Sequence, residues 1–114
     1  MTSFHFVTIL TGVNVLSRPA IDAAIARHPD AAGWLETWWA TAKSARWENL
    51  RVVSLDYPAA DQYERCLIFN ARGNKYRMIV RIVYADQWQN GTVFVKHFLT
   101  HAEYDKDLWK GVCR

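Results

Sequence analysis

The chain has 114 residues, of which 51% are hydrophobic and 22% charged, which is enough for one domain with one core and too few for two. This composition excludes a disordered chain, and no apolar run approaches the roughly 18 residues that a membrane-spanning helix needs. The net charge of +3 is mildly basic and compatible with a polyanionic partner.

Six Trp in so short a chain can serve either as core or as stacking platforms. The two cysteines, Cys66 and Cys113, form no CxxC pair, so the spacing of a zinc site is missing. Two positions are too few to argue a disulfide, and both are read as reduced thiols in a cytoplasmic protein. Residues 1–10 are apolar but lack a basic leader and a small-residue cleavage pattern, so no secretory signal is expected.

Taken in order, residues 2–10 are aromatic and β-branched and read as an extra edge strand or a loose leader, ended by Thr11-Gly12. Asn14-Val15-Leu16 reads as a short strand. Ser17 is a good N-cap with Pro19 in the first turn of a helix, whose inner face carries Ile21, Ala24 and Ile25 and which His28-Pro29 stops. Asp30 is the next expected N-cap. Behind it Trp34, Leu35, Trp38, Ala42 and Ala45 form one apolar stripe at helical spacing, expected to be core, with Trp39 off the stripe. Residues 47–55 are a short helix or a tight connection, and Tyr57-Pro58-Ala59-Ala60-Asp61 is a breaker.

Two strands then follow, residues 65–71 and 75–84, joined by Arg72-Gly73-Asn74, whose Gly and Asn tolerate positive φ. In the second, Tyr76, Met78, Val80, Ile82 and Tyr84 fall on one face, while Lys75, Arg77, Ile79, Arg81 and Val83 fall on the other. Cations on a strand otherwise built for burial are costly unless their face meets water or an anion. A loop over residues 85–91 carries Trp88 and ends in Asn90-Gly91. A third strand, residues 92–99, sets Val93, Val95, His97 and Leu99 opposite Phe94, Lys96, Phe98 and Thr100. Residues 100–107 turn the chain into a last short helix from Asp107 to about Val112. Helices first and an antiparallel meander second make an α+β domain.

No Gly-rich phosphate loop, metal-ligand spacing or GxSxG elbow is present. What remains is a set of cations on one strand, with His101, Tyr104 and Lys106 following the end of its antiparallel neighbour. That set suits metal-free RNA cleavage, in which a 2′-hydroxyl needs a base, the phosphorane needs positive charge and the leaving 5′-oxygen needs an acid. The same residues also describe a solvated sheet face with a surface histidine. On the residues alone both readings stand.

The run Asn70-Ala71-Arg72-Gly73-Asn74-Lys75-Tyr76-Arg77-Met78-Ile79-Val80-Arg81-Ile82, followed by Thr100-His101-Ala102-Glu103-Tyr104-Asp105-Lys106, resembles the HigB family of type II toxins. His28-Pro29-Asp30-Ala31, Trp47-Glu48-Asn49-Leu50 and Tyr57-Pro58-Ala59-Ala60-Asp61 also resemble it, so the likeness covers about residues 13–110. The resemblance implies a RelE-like small RNase fold. N-terminal helices would pack on a three- to four-stranded, mainly antiparallel sheet, with a short C-terminal helix.

It also implies a toxin domain over residues 13–114, preceded by an N-terminal extension over residues 1–12. The implied activity is ribosome-dependent cleavage of mRNA in the A site, leaving a 2′,3′-cyclic phosphate and a 5′-hydroxyl, with no metal and no cofactor. Implied partners are a HigA-type helix-turn-helix antitoxin, mRNA and ribosomal RNA, with operator DNA reached only through the antitoxin and no membrane. By position, Arg77 would stabilise the scissile phosphate and His101 would be the proton donor. Tyr104 would join the catalytic set, while Lys75, Arg81, Lys106 and Asn70 would hold RNA. Asn70 stands where RelE has a lysine, so the base is not carried over. The chain departs from the pattern in residues 1–12, in a longer loop at 85–91 and in His97, read as structural. A non-catalytic toxin, or an RNA- or protein-binding module of this fold, is the competing reading.

Overall fold

The computed structural model describes residues 14–16 and 18–114. The expected strand or leader at residues 2–10 and the cap at Ser17 lie outside them. Strand β1 (Asn14–Leu16) forms as expected and leads into helix α1 (Arg18–Arg27), which buries Ile21 and Ala24. The helix ends before His28, because a residue preceding proline is pushed out of the α region. A 3-10 turn, Pro29–Ala31, follows and feeds helix α2 (Ala32–Ser44), which buries Leu35, Trp38 and Ala42 from the expected stripe.

Asp30 does not cap that helix. The N-cap is Ala31, which makes no side-chain cap. The Asp30 carboxylate turns instead to the far strand turn, accepting from Tyr76 Oη at 2.8 Å and pairing with Lys75 Nζ and Arg72. Residues 47–55 resolve into helix α3 (Leu50–Asp56), capped where Asn49 Oδ1 accepts the Val52 N–H at 3.0 Å. Trp47, in the connection before it, is fully buried against Trp38 and Phe69.

Among the described residues the sheet has five strands in the order β1-β5-β4-β3-β2, one more than the largest number expected. The additional strand, β2 (Asp61–Tyr63), pairs antiparallel with β3 (Cys66–Ala71) across Glu64-Arg65. Glu64 takes a φ of 52° there without glycine or asparagine, so nothing in the sequence marks the hairpin. β4 (Tyr76–Val83) and β5 (Thr92–Thr100) complete the antiparallel meander, and β1 joins the β5 edge in parallel.

The expected alternation of β5 is corrected by a bulge. Ile79 pairs with His97 but Val80 pairs with Val95, so Lys96 is the extra residue. Val93, Val95 and Phe98 therefore enter the core with Tyr76, Met78, Val80 and Ile82 beneath the helices, while His97 and Leu99 move to the opposite face. A second, smaller cluster sits on that opposite face and joins Cys66, Ile68 and Ile79 to Trp109 and Cys113.

The two thiols expected to be free are joined: Cys66 and Cys113 form a disulfide with Cα atoms 5.2 Å apart and a separation of 47 positions in sequence. A cross-link over that length restricts the unfolded chain by about 4 kcal/mol in the chain-entropy model. The expected last helix, Asp107 to about Val112, is a 3-10 turn instead, and the segment before it, expected only to turn the chain, forms a helix of its own. Helix α4 (His101–Asp105) carries a capping box, and after Asp107, in the left-handed region at φ 62°, a C-terminal 3-10 turn spans Leu108–Cys113. No helix of the described chain is long and apolar enough to cross a membrane.

Candidate functional site

Arg77 is 9% exposed, the one charged residue among the buried ones described. It pairs across the sheet with Asn70 on β3 and with Leu99 on β5, on the face away from the helices. Its guanidinium donates to the Tyr76 carbonyl at 3.1 Å and to Asn74 Oδ1 at 3.3 Å, and it stands 5.4 Å from the centre of the Tyr104 ring. No described carboxylate pairs with it. A nearly buried cation held only by neutral acceptors and a π face keeps donors for an anion, since a guanidinium has five N–H groups.

Tyr104 and His101 reach this end of the sheet on α4. Thr100 Oγ1 accepts the Glu103 N–H at 3.2 Å while Glu103 Oε1 accepts the Thr100 N–H at 2.9 Å, which starts the helix at the strand end. That bond to the Thr100 backbone holds the Glu103 carboxyl below its ordinary range. The His101 N–H binds the Lys75 carbonyl at 3.2 Å, tying the helix start to the beginning of β4. His101 Nδ1 lies 3.0 Å from Asp105 Oδ2, one helical turn on. With Nδ1 so engaged, Nε2 is the nitrogen left to move a proton.

Other expected residues lie elsewhere. Lys75 does not share the face of Arg77. It belongs to the turn and its ammonium is spent on Asp30, which raises its pKa through that hydrogen bond. Arg81 is four residues from Arg77, about 13 Å along a strand. It lines a groove of about 620 Å³ with Arg65, Phe94, Val83, Ile82 and Lys96. Lys106 lines a separate pocket of about 260 Å³ with His97 and Leu108. His97 is half-buried, and burial with the Lys96 charge lowers its pKa.

Arg77, Asn70, Tyr104 and His101 are thus gathered at one end of the sheet, Arg81 marks a cationic groove at the other, and Lys75 and Lys106 stand apart. Arg65, Lys96, Phe94 and Trp109 were not foreseen as site residues. Arg65 lies in a hairpin turn that no sequence signal marks, and the groove that Lys96 and Phe94 share with it forms only where β4 and β5 pair.

The family model for the HigB toxin, the RelE-like toxic component of a toxin-antitoxin system, matches residues 31–107, well over half of the chain. The chain belongs to the HigB toxin family. No curated protein matches it. As a HigB toxin it acts in a toxin-antitoxin system, and such a system implies an antitoxin partner. The matched span holds Arg77, Asn70, His101, Tyr104 and the groove cations, and it stops before Trp109 and Cys113. The C-terminal turn, Leu108–Cys113, therefore lies outside the span that the family model matches.

Proposed function

We propose that this toxin is a ribosome-dependent mRNA endonuclease that cuts translated mRNA and arrests growth until a HigA-type helix-turn-helix antitoxin neutralises it. The observation that carries the reading is Arg77, nearly buried, with no described carboxylate partner and with donors free for a phosphate. In the proposed reaction the RNA 2′-hydroxyl gives its proton to water, its oxygen attacks the adjacent phosphorus and the bond from phosphorus to the 5′-oxygen breaks. The products are a 2′,3′-cyclic phosphate and a 5′-hydroxyl. Arg77 holds the charge that builds on the phosphorane oxygens. His101, as imidazolium with Asp105 behind it, gives its Nε2 proton to the leaving 5′-oxygen. Tyr104 orients Arg77 through its ring, and Asn70 contributes hydrogen bonds beside it rather than acting as base. Arg81, with Arg65 and Lys96, holds RNA phosphates of message or ribosome, with Phe94 available for stacking. The setting is cytoplasmic, and operator DNA is met only through the antitoxin.

The test is induced expression in cells lacking the antitoxin, with primer extension on a reporter mRNA. Growth arrest with new 5′ ends inside translated codons is expected for the wild type. Arg77→Ala should lower cleavage by about 10²–10³-fold while still binding antitoxin. Arrest without new 5′ ends would instead establish a non-cutting inhibitor of the same fold. A folded His101→Ala variant that cuts at the wild-type rate would remove that residue from the acid role.

A further inference from the structure

Tyr104 reaches Arg77 from a helix of five residues, too short to be held by its own hydrogen bonds. What holds it is the turn behind it. The Trp109 indole stacks on the Tyr104 ring at 5.1 Å with the planes 9° apart, and its Nε1–H donates to the Tyr104 carbonyl at 3.0 Å. Tyr63 packs edge-on against the far part of the indole at 5.5 Å, and Trp109 is 3% exposed. A row of contacts thus runs from Tyr63 through Trp109 and Tyr104 to the Arg77 guanidinium. The turn is fastened to the sheet at Cys66–Cys113 and by the Arg65 N–H to the Cys113 carbonyl at 3.0 Å.

We propose that Trp109 is a positioning residue that sets Arg77 through Tyr104, and that the Cys66–Cys113 bond makes this positioning depend on thiol redox state. The catalytic part of the proposal rests on the reading of Arg77 as the phosphate-binding group. The structural part does not. Reduction by a small dithiol is balanced within the exchange. One reagent thiolate attacks a cysteine sulfur, the Sγ–Sγ bond breaks and the other cysteine leaves as thiolate and takes a proton. The second reagent thiol then closes its own ring and releases the first cysteine, so two electrons and two protons pass to the protein. The turn then keeps its apolar contacts, the Trp109 Nε1–H bond to the Tyr104 carbonyl and the Arg65–Cys113 backbone bond but loses its covalent tie to the sheet, so the backing of Tyr104 is no longer fixed. Because well-placed groups are sensitive to shifts of about 1 Å, a fall in rate on the order of tenfold is expected.

The experiment compares the purified full chain, oxidised and after dithiothreitol, with Trp109→Phe, Trp109→Leu and Cys113→Ser. Two readouts are taken. The first is the Arg77 Nε–Hε resonance in 15N-labelled protein, displaced by the Tyr104 ring current. Oxidised wild type and Trp109→Phe should share the displaced signal. Reduced wild type, Trp109→Leu and Cys113→Ser should lose it, the last without responding to dithiothreitol. The second is single-turnover cleavage on mRNA-programmed ribosomes. The rate at saturation should fall about tenfold in the forms that lose the signal, with unchanged half-saturating concentration and rescue in Trp109→Phe. An Arg77 signal unmoved by both reduction and Trp109→Leu overturns the proposal. A signal moved by Trp109→Leu but not by reduction overturns its redox part. The expected signal changes with no cleavage by any form uphold the positioning and overturn the endonuclease reading instead. Should Trp109→Leu fail to fold, reduced wild type and Cys113→Ser carry both readouts.

Discussion

Asp30 stands at the entrance of a helix, where a carboxylate ordinarily caps, yet its oxygens take Lys75, Tyr76 and Arg72 from a strand turn more than forty residues away. The Lys75 hydrogen bond, with that of the Tyr76 hydroxyl behind it, holds its carboxyl at about 2 against an ordinary 3.8. A carboxyl depressed by folding stabilises the protein above its ordinary pKa and loses that contribution as pH falls through the folded value. Unfolding by urea should show wild type losing stability between about pH 4 and about pH 2. Asp30→Asn should be less stable at neutral pH and lose less across that window. Equal pH slopes for both proteins would rule out this role. Arg77 differs in how far the sequence reveals it. Its place on the outward face of a strand is plain from alternation, but its near-complete burial depends on Asn74 and Tyr104 closing around it.

At the scale of elements, Gly91 decides how β5 begins. Its φ is +87°, and a Cβ there would stand 2.7 Å from the Val83 carbonyl oxygen and 2.8 Å from the Ala85 nitrogen. Its own carbonyl accepts the Asn14 N–H at 3.1 Å, so the same residue seats β1 beside β5. Gly91→Ala should destabilise the fold by roughly 1–3 kcal/mol, measured by urea unfolding, with faster hydrogen exchange along β1. The Asn90-Gly91 turn is legible in the sequence because φ preference is local. The bulge one strand-half later is not, because it answers to the pairing of Ile79 and Val80 with a neighbouring strand. β2 escapes notice for a similar reason: Asp61-Gln62-Tyr63 has no apolar alternation, and it is a strand only because β3 offers it an edge.

Across the whole molecule, helices cover one face of the sheet, and the other face is divided among the Arg77 end, the pinned turn and the groove of Arg65, Arg81 and Lys96. A polyanion held there releases counterions, so affinity falls with salt. Replacing Arg65, Arg81 and Lys96 together with alanine should weaken binding to ribosomes or single-stranded RNA. It should also reduce the slope of log affinity against log salt by about 2, at ~0.7 per phosphate contact. A slope identical to that of wild type would show that the groove makes no phosphate contacts. Measured on the variant at low salt, cleavage chemistry at Arg77 should persist, because the groove lies about 13 Å along β4.

Local and near-local rules made much of this protein readable. The helical stripe of Trp34, Leu35 and Trp38, the stop at His28-Pro29 and the central strand pair are all written in periods of 3.6 or 2 and in turn chemistry. The tertiary structure alone decided where the strand cations are placed, since Lys75 was drawn to Asp30 while Arg81 and Lys96 met Arg65 in one groove. It alone joined Cys66 to Cys113, because no local rule relates two residues 47 apart until the sheet and the C-terminal turn bring them to 5.2 Å.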